Sequence, residues 1–265
     1  TKGLAMKTTN STCFRIQNVL ILFSGLLFVF SLLFSCKKDN LDPNSSSPNP
    51  ALVSYLRFNH YVDDLTVSYD TVMYVNDFGN NFSIETIRYF ISNVAFVHSN
   101  GQVINIVDAV YVDPRLEGYD QLKITSSIPN GHYIGIKFTF GLDSIMNQTG
   151  VFNNFPEAAM EWPQMMGGGY HYMKLEGRYE HQGNYNHFNF HTGPLNNNKN
   201  YFQVELPMSM NVNNGVFDIT LAMEIQNWFK NPNSFDLTTI AQGMMGSQTK
   251  QELVKNNGID VFSVE

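Results

Sequence analysis

Cysteine is nearly absent from this chain. Cys13 and Cys36 are the two among 265 residues. Both lie near the start, so no disulfide can staple the rest of the chain, and its core must hold by packing. Charge is scarce too: Asp, Glu, Lys and Arg make up 15% of residues and sum to −7. Without clustered Lys and Arg there is little to meet phosphates, which argues against a nucleic-acid partner. There is no Gly-x-Ser-x-Gly elbow, no His-Glu-x-x-His, no P-loop and no dinucleotide fingerprint. An enzyme is therefore not expected. Asp63, Asp64 and Glu176 have no spacing that fixes a carboxylate pair, and the oxygens of 76–80 read as a turn rather than a calcium loop.

What is present begins with an address. Residues 1–5 read as an upstream remnant before Met6. Lys7 and Arg15 are followed by an almost wholly apolar run, 19–34, slightly short of the roughly 20 residues that a permanent span needs. This is the pattern of a secretion signal. It ends in Leu33-Phe34-Ser35-Cys36, which resembles the bacterial lipobox, where cleavage leaves a lipid-bearing cysteine; the alternative is an uncleaved signal anchor. Residues 1–35 are then a lipoprotein signal peptide and Cys36 the lipidation site, so no thiol is left as a nucleophile. Lys37, by analogy with known lipoproteins, points to the outer membrane, facing the periplasm or the cell surface. Removing 1–35 takes the charge to about −10. Residues 36–50 are rich in Pro, Ser and Asn and form a flexible tether. The folded domain is expected over 51–265.

Most of 51–143 reads as strands. Residues 54–62 alternate, with Leu56, Phe58, His60 and Val62 on one, inward, face. Ser83 is a candidate cap for a short helix or bend over 84–89. Asn100-Gly101 and Pro129-Asn130-Gly131 are turn signals. The segment 141–161 is long and aperiodic, as functional loops often are. Further strands are expected at 186–192, 201–206, 216–226 and 259–264, with a helix over 248–256 and Gly258 past its end. The pattern predicts an all-β fold, an antiparallel β-sandwich with short helices near the C-terminus.

Residues 160–177 concentrate unusual chemistry: Trp162, Met165, Met166, three glycines, His171 and Met173. Alternation places His171 and Met173 on one apolar face, beside the loop that holds Trp162. Imidazole with thioether is a donor set that suits copper. The plainer reading is methionine filling an irregular core around a hydrogen-bonded histidine. His60 could converge with His171 at one mouth of the sandwich, with His191, His187, Met165 or Met173 as a third donor; it could equally be a satisfied core histidine. His187 and His191 face away from Phe188 and Phe190, as on a solvated strand face. His98, His132 and His181 sit by turns and are expected at the surface.

Several pieces, in order, resemble the MbnP-like family, named for the methanobactin-associated copper-binding periplasmic protein. They are Met160 and Trp162, Gly168-Gly169-Tyr170, Lys174-Leu175-Glu176-Gly177 and Phe190-His191-Thr192-Gly193. Tyr89-Phe90-Ile91-Ser92-Asn93-Val94, Gly131-His132-Tyr133 and Phe138-Thr139-Phe140-Gly141-Leu142-Asp143 support them. The resemblance spans about 52–265. It implies an exported β-sandwich, copper binding, and a tryptophan that a dihaem partner of the cytochrome c peroxidase type can oxidise to kynurenine. Trp162 and His191 match the family's tryptophan and histidine by position. The chain departs where Gln164 replaces a second tryptophan and the loop gains Met165 and Met166. The expectation is a lipid-anchored copper-binding protein that captures or stores metal, with metal ligands among His60, His171, His191 and Met173. The alternative is an adhesion or glycan-binding module, in which Trp162 and tyrosines stack on sugars.

Overall fold

A computed structural model describes residues 53–196 and 198–265. The signal peptide, Cys36 and the tether lie outside the described residues. In chain order the strands are β1 (Ser54–Val62), β2 (Leu65–Thr66), β3 (Tyr74–Val75), β4 (Asn81–Phe82) and β5 (Thr86–His98). Then come β6 (Val103–Val112), β7 (Gln121–Ile124), β8 (Gly131–Phe140) and β9 (Met173–His181). The last are β10 (Asn184–Thr192), β11 (Phe202–Val212), β12 (Asp218–Glu224) and β13 (Phe262–Val264). One sheet runs β13-β12-β1-β2, with β7 also on β1. The other runs β11-β8-β5-β9-β4-β3, with β6 on β5 and β10 on β9. All pairings are antiparallel except β1 with β12.

The alternation in β1 does what its sequence requires: Leu56, Phe58, His60 and Val62 are buried against the larger sheet. Aromatic residues dominate that core. Phe82 meets Phe229 at 5.1 Å and Phe138 meets Phe262 at 5.2 Å, both edge to face, and each buried ring contributes about 1.5–3 kcal/mol of apolar burial. No cysteine is needed because this core is large.

The helix or bend expected at 84–89 is extended backbone. Ile84 bridges Tyr69, and β5 begins at Thr86. The Ser83 hydroxyl accepts the Arg178 amide instead of capping a helix, and Ile84, Thr86 and Ile87 suit a pleated surface. At the C-terminus, helix α1 (Leu237–Ile240) precedes α2 (Gln248–Asn257), which Ser247 caps and Gly258 follows. The closing strand is shorter than expected because Gly258–Asp260 forms a 3-10 turn.

The larger sheet has a second covered face. Phe90 and Tyr111 point away from the main core and pack with Leu142, Met160, Tyr170 and Tyr172 from the excursion 141–172. That excursion is tied down where Gly141 N donates to Phe90 O and Phe90 N donates to Tyr172 O. It reaches over the start of β9, where Lys174 Nζ donates to Ala159 O, and the end of β10 beside it, and the candidate centre lies under this roof.

Candidate metal centre

The roof ends in a small antiparallel ladder. Glu161 bridges Tyr170, Trp162 N donates to Gly169 O, and His171 N donates to Met160 O. This sets Trp162 and His171 side by side. Between them the chain reverses through Gly167, Gly168 and Gly169, all at positive φ (122°, 69° and 81°), which side chains with a Cβ rarely adopt. A Cβ at Gly169 would lie 2.6 Å from Asn147 Oδ1, and that oxygen is needed: it accepts the Tyr170 amide. Thr149 Oγ1 likewise accepts from Gly169 N and from Gln164 Nε2, each at 2.9 Å. The loop is clamped by side chains of the aperiodic segment.

Trp162 is fully buried. Its Nε1 donates to Met166 O at 3.3 Å, and its ring lies on Gly193, where a Cβ would come within 2.5 Å of it. The His171 ring stands 4.7 Å from the indole and 5.2 Å from the His191 ring, nearly perpendicular to both. His171 Nδ1 donates to Met160 O at 2.9 Å. That fixes the tautomer and leaves the Nε2 lone pair free. This Nε2 is buried and has no hydrogen-bond partner. His191 Nε2 donates to Glu176 Oε1 at 2.6 Å, which leaves Nδ1 as the ring nitrogen available to a metal. Both imidazoles therefore have the outer contact typical of metal-binding histidines, one to a carbonyl and one to a carboxylate.

The electrostatics keep His171 neutral. Burial, and then the neighbouring Lys174 ammonium, push its pKa down to about 3. The hydrogen bond from His191 is the largest influence lowering the Glu176 carboxyl. Burial lowers Lys174, whose Nζ donates to Ala159 O at 2.7 Å. A neutral imidazole with an idle lone pair is the form a metal requires.

The structure brings Trp162, His171 and His191 together and leaves His60 and Met173 apart. Met173 opens β9 pointing into the main core. Its expected face-sharing with His171 fails because the chain bends at Tyr172, so His171 turns to the opposite side of the sheet, with Lys174, Glu176 and His191. His60 lies in the main core, where its Nε2 contacts Tyr89 Oη at 3.0 Å, and burial lowers its pKa to about 4. His191 does lie on the outward face of β10, but the roof covers it. Glu176 and Lys174 went unread as site residues because their alternation with Leu175 marks only a polar face. Among the described residues no group of three or more His, Cys, Asp or Glu is placed to hold a metal ion, so protein nitrogen from two imidazoles is what the site offers. Trp162 is buried and cannot serve as a stacking platform for sugars.

The MbnP family model matches residues 53–246. MbnP from Methylosinus trichosporium has a similar structure, with a TM-score of 0.50 and 15% identity over 69% of this chain and 78% of that one. At that identity the likeness is one of fold. No curated protein matches the chain.

Proposed function

This chain belongs to the MbnP family, and from that premise we propose that it is an exported copper-binding protein which captures or holds the metal without turning over a substrate. The observation that carries the reading is the unpartnered Nε2 of His171, buried 5.2 Å ring to ring from His191. A buried acceptor left unpaired costs about 1–3 kcal/mol. Such a cost makes sense where a ligand repays it. His171 and His191 would hold the ion, and copper would supply a soft Lewis-acid and redox centre. Met160 O and Glu176 orient the two rings. The roof 141–172 includes His171 itself, which is buried.

The N-terminal signal and Cys36 would anchor the domain to the outer membrane and place it where periplasmic or external copper passes. Trp162, in edge contact with His171, is the candidate for conversion to kynurenine by a dihaem partner. Because the indole is fully buried, that oxidation would draw electrons through the protein rather than by contact with the ring.

Anaerobic copper titration of the full chain, followed by Trp162 fluorescence and metal analysis, tests the reading. One copper per chain is expected, and none in the double variant His171→Ala/His191→Ala. Equal binding by the double variant would reject the centre.

A further inference from the structure

The smaller sheet has a gap in it. On one edge β1 is paired with β12 from Tyr55 to Tyr61. On the other edge β7 takes Ser54 to Arg57 and β2 takes Tyr61 and Val62, and between them Phe58, Asn59 and His60 face no strand. Both neighbours peel away in mid-pair. The β7 register brings Asp120 opposite Phe58, where Phe58 N donates to Asp120 O at 2.9 Å. The β2 register brings Val67 opposite His60, where Val67 N donates to His60 O at 3.0 Å. Such pairs normally exchange two bonds, and here each exchanges one. Two acceptors, Phe58 O and Val67 O, and two donors, His60 N and Asp120 N, are left without partners among the described residues. All four residues line one cavity of about 230 Å³.

Side chains add to this set. Tyr89 Oη contacts His60 Nε2 at 3.0 Å and has no other partner among the described residues. Its hydroxyl therefore donates there, and the ring proton of neutral His60 sits on Nδ1, a further donor on a residue that lines the cavity. Tyr69 forms one wall. Arg115 lies over its ring at 5.0 Å and is itself fixed by Asp70. The Tyr69 hydroxyl is buried and also unpaired. Asp120 is the acidic side chain of the lining, and no Lys or Arg lines the cavity among the described residues.

These groups define an occupant. An anion meets Asp120 and no cation; an ammonium meets three N–H donors. A peptide strand does not fit, since the open edge is three residues long, about 10 Å, and β2 and β7 close its ends. Hydroxyls fit, because each both donates and accepts, and the Tyr69 wall offers an apolar face with a polar tip. Drug-sized ligands take about 300–1000 Å³, so this cavity suits a single ring. We propose that the gap in the smaller sheet binds one neutral sugar ring, held by Phe58 O, Val67 O, His60 N, Asp120 N and the Asp120 carboxylate. The site is separate from the paired imidazoles, and neither reading depends on the other.

The test is saturation-transfer NMR with calorimetry on the full chain. Glucose, galactose, mannose and N-acetylglucosamine are the probes, and N-acetylglycine methylamide is the peptide-like control. At least one sugar should bind with a Kd of about 1 mM or tighter. Asp120→Ala, at an exposed side chain, should weaken that binding about tenfold. Thr66→Trp, on the exposed rim, should fill the cavity and abolish it. No binding of any of the four sugars at about 20 mM overturns the proposal and leaves the gap to water. Binding of the control without any sugar overturns it in favour of an amide ligand. Sugar binding within about twofold of wild type in both variants places the sugar elsewhere and overturns it too.

Discussion

His60 and His171 are each 4% exposed, and burial holds both in the neutral form. They differ in one atom. His60 Nε2 has the Tyr89 hydroxyl at 3.0 Å, while His171 Nε2 has nothing. They also lie on opposite sides of the larger sheet, one in the main core and one beneath the roof. Burial and a depressed pKa therefore do not mark a site here, because a core histidine shows both. The mark is an acceptor held open at a fixed tautomer, with a second imidazole ring 5.2 Å away.

Replacing each histidine by leucine should give the largest divergence. In His60→Leu the buried Tyr89 hydroxyl loses its partner, so stability at pH 7 should fall by about 1–3 kcal/mol. In His171→Leu an unpaired acceptor disappears, so the metal-free protein should be about as stable as wild type or slightly more so, while copper-induced stabilisation vanishes. Chemical denaturation with and without copper reads both. The acid limb gives a second check. The His60 pKa is lowered in the folded state to about 4, so the unfolded chain takes the proton first as pH falls. The stability concerned is fully present above about pH 6.5 and is lost as pH drops towards 4, about 3 kcal/mol in all. His60→Leu should flatten that part of the profile. Equal losses in the two leucine variants would erase the contrast.

A smaller effect should sharpen the contrast from the outer contacts. Glu176→Gln weakens the acceptor that sets the His191 tautomer, and losses of this kind typically cost 10–100-fold in metal affinity. Folding should change little, since Glu176 also loses the burial that opposes its ionisation. Copper affinity measured beside thermal stability separates the two. A variant that binds copper as wild type does would mean that His191 needs no orienting partner.

The strands were legible because alternation writes them directly: β1, β9 and β10 each show their inward residues in sequence. The C-terminal helix was legible from Gly258, just past its end. The site was half legible. Trp162, His171 and His191 stand out as residue types, but alternation assigned His171 the wrong face. The bend at Tyr172 breaks the alternation between His171 and β9; there Tyr172 N donates to Thr192 O while its own carbonyl accepts from Phe90 N. Those partners lie 20 and 82 residues away, so no local pattern encodes them. His191 was read as facing solvent because the roof that partly covers it comes from an aperiodic loop. His60 was grouped with His171 because both look apolar-faced, and only the third dimension tells the two sides of a sheet apart.

The smallest expected effect concerns Met165, which is 88% exposed on the loop above Trp162. A thioether there could swing inward and complete the coordination, in which case the open lone pair of His171 would belong to a loop awaiting closure rather than to a preset pair. The clamps argue for the preset pair: Asn147 and Thr149 hold the glycine turn, and Trp162 Nε1 holds Met166 O. Met165→Ala should therefore change stability by no more than about 0.5 kcal/mol, as exposed substitutions usually do. Copper affinity should hold within about threefold, less than 1 kcal/mol on the tenfold-per-1.4 scale. A hundredfold loss of affinity at unchanged stability would show the thioether entering the site, and the difference between His60 and His171 would then be one of loop position as much as of hydrogen bonding.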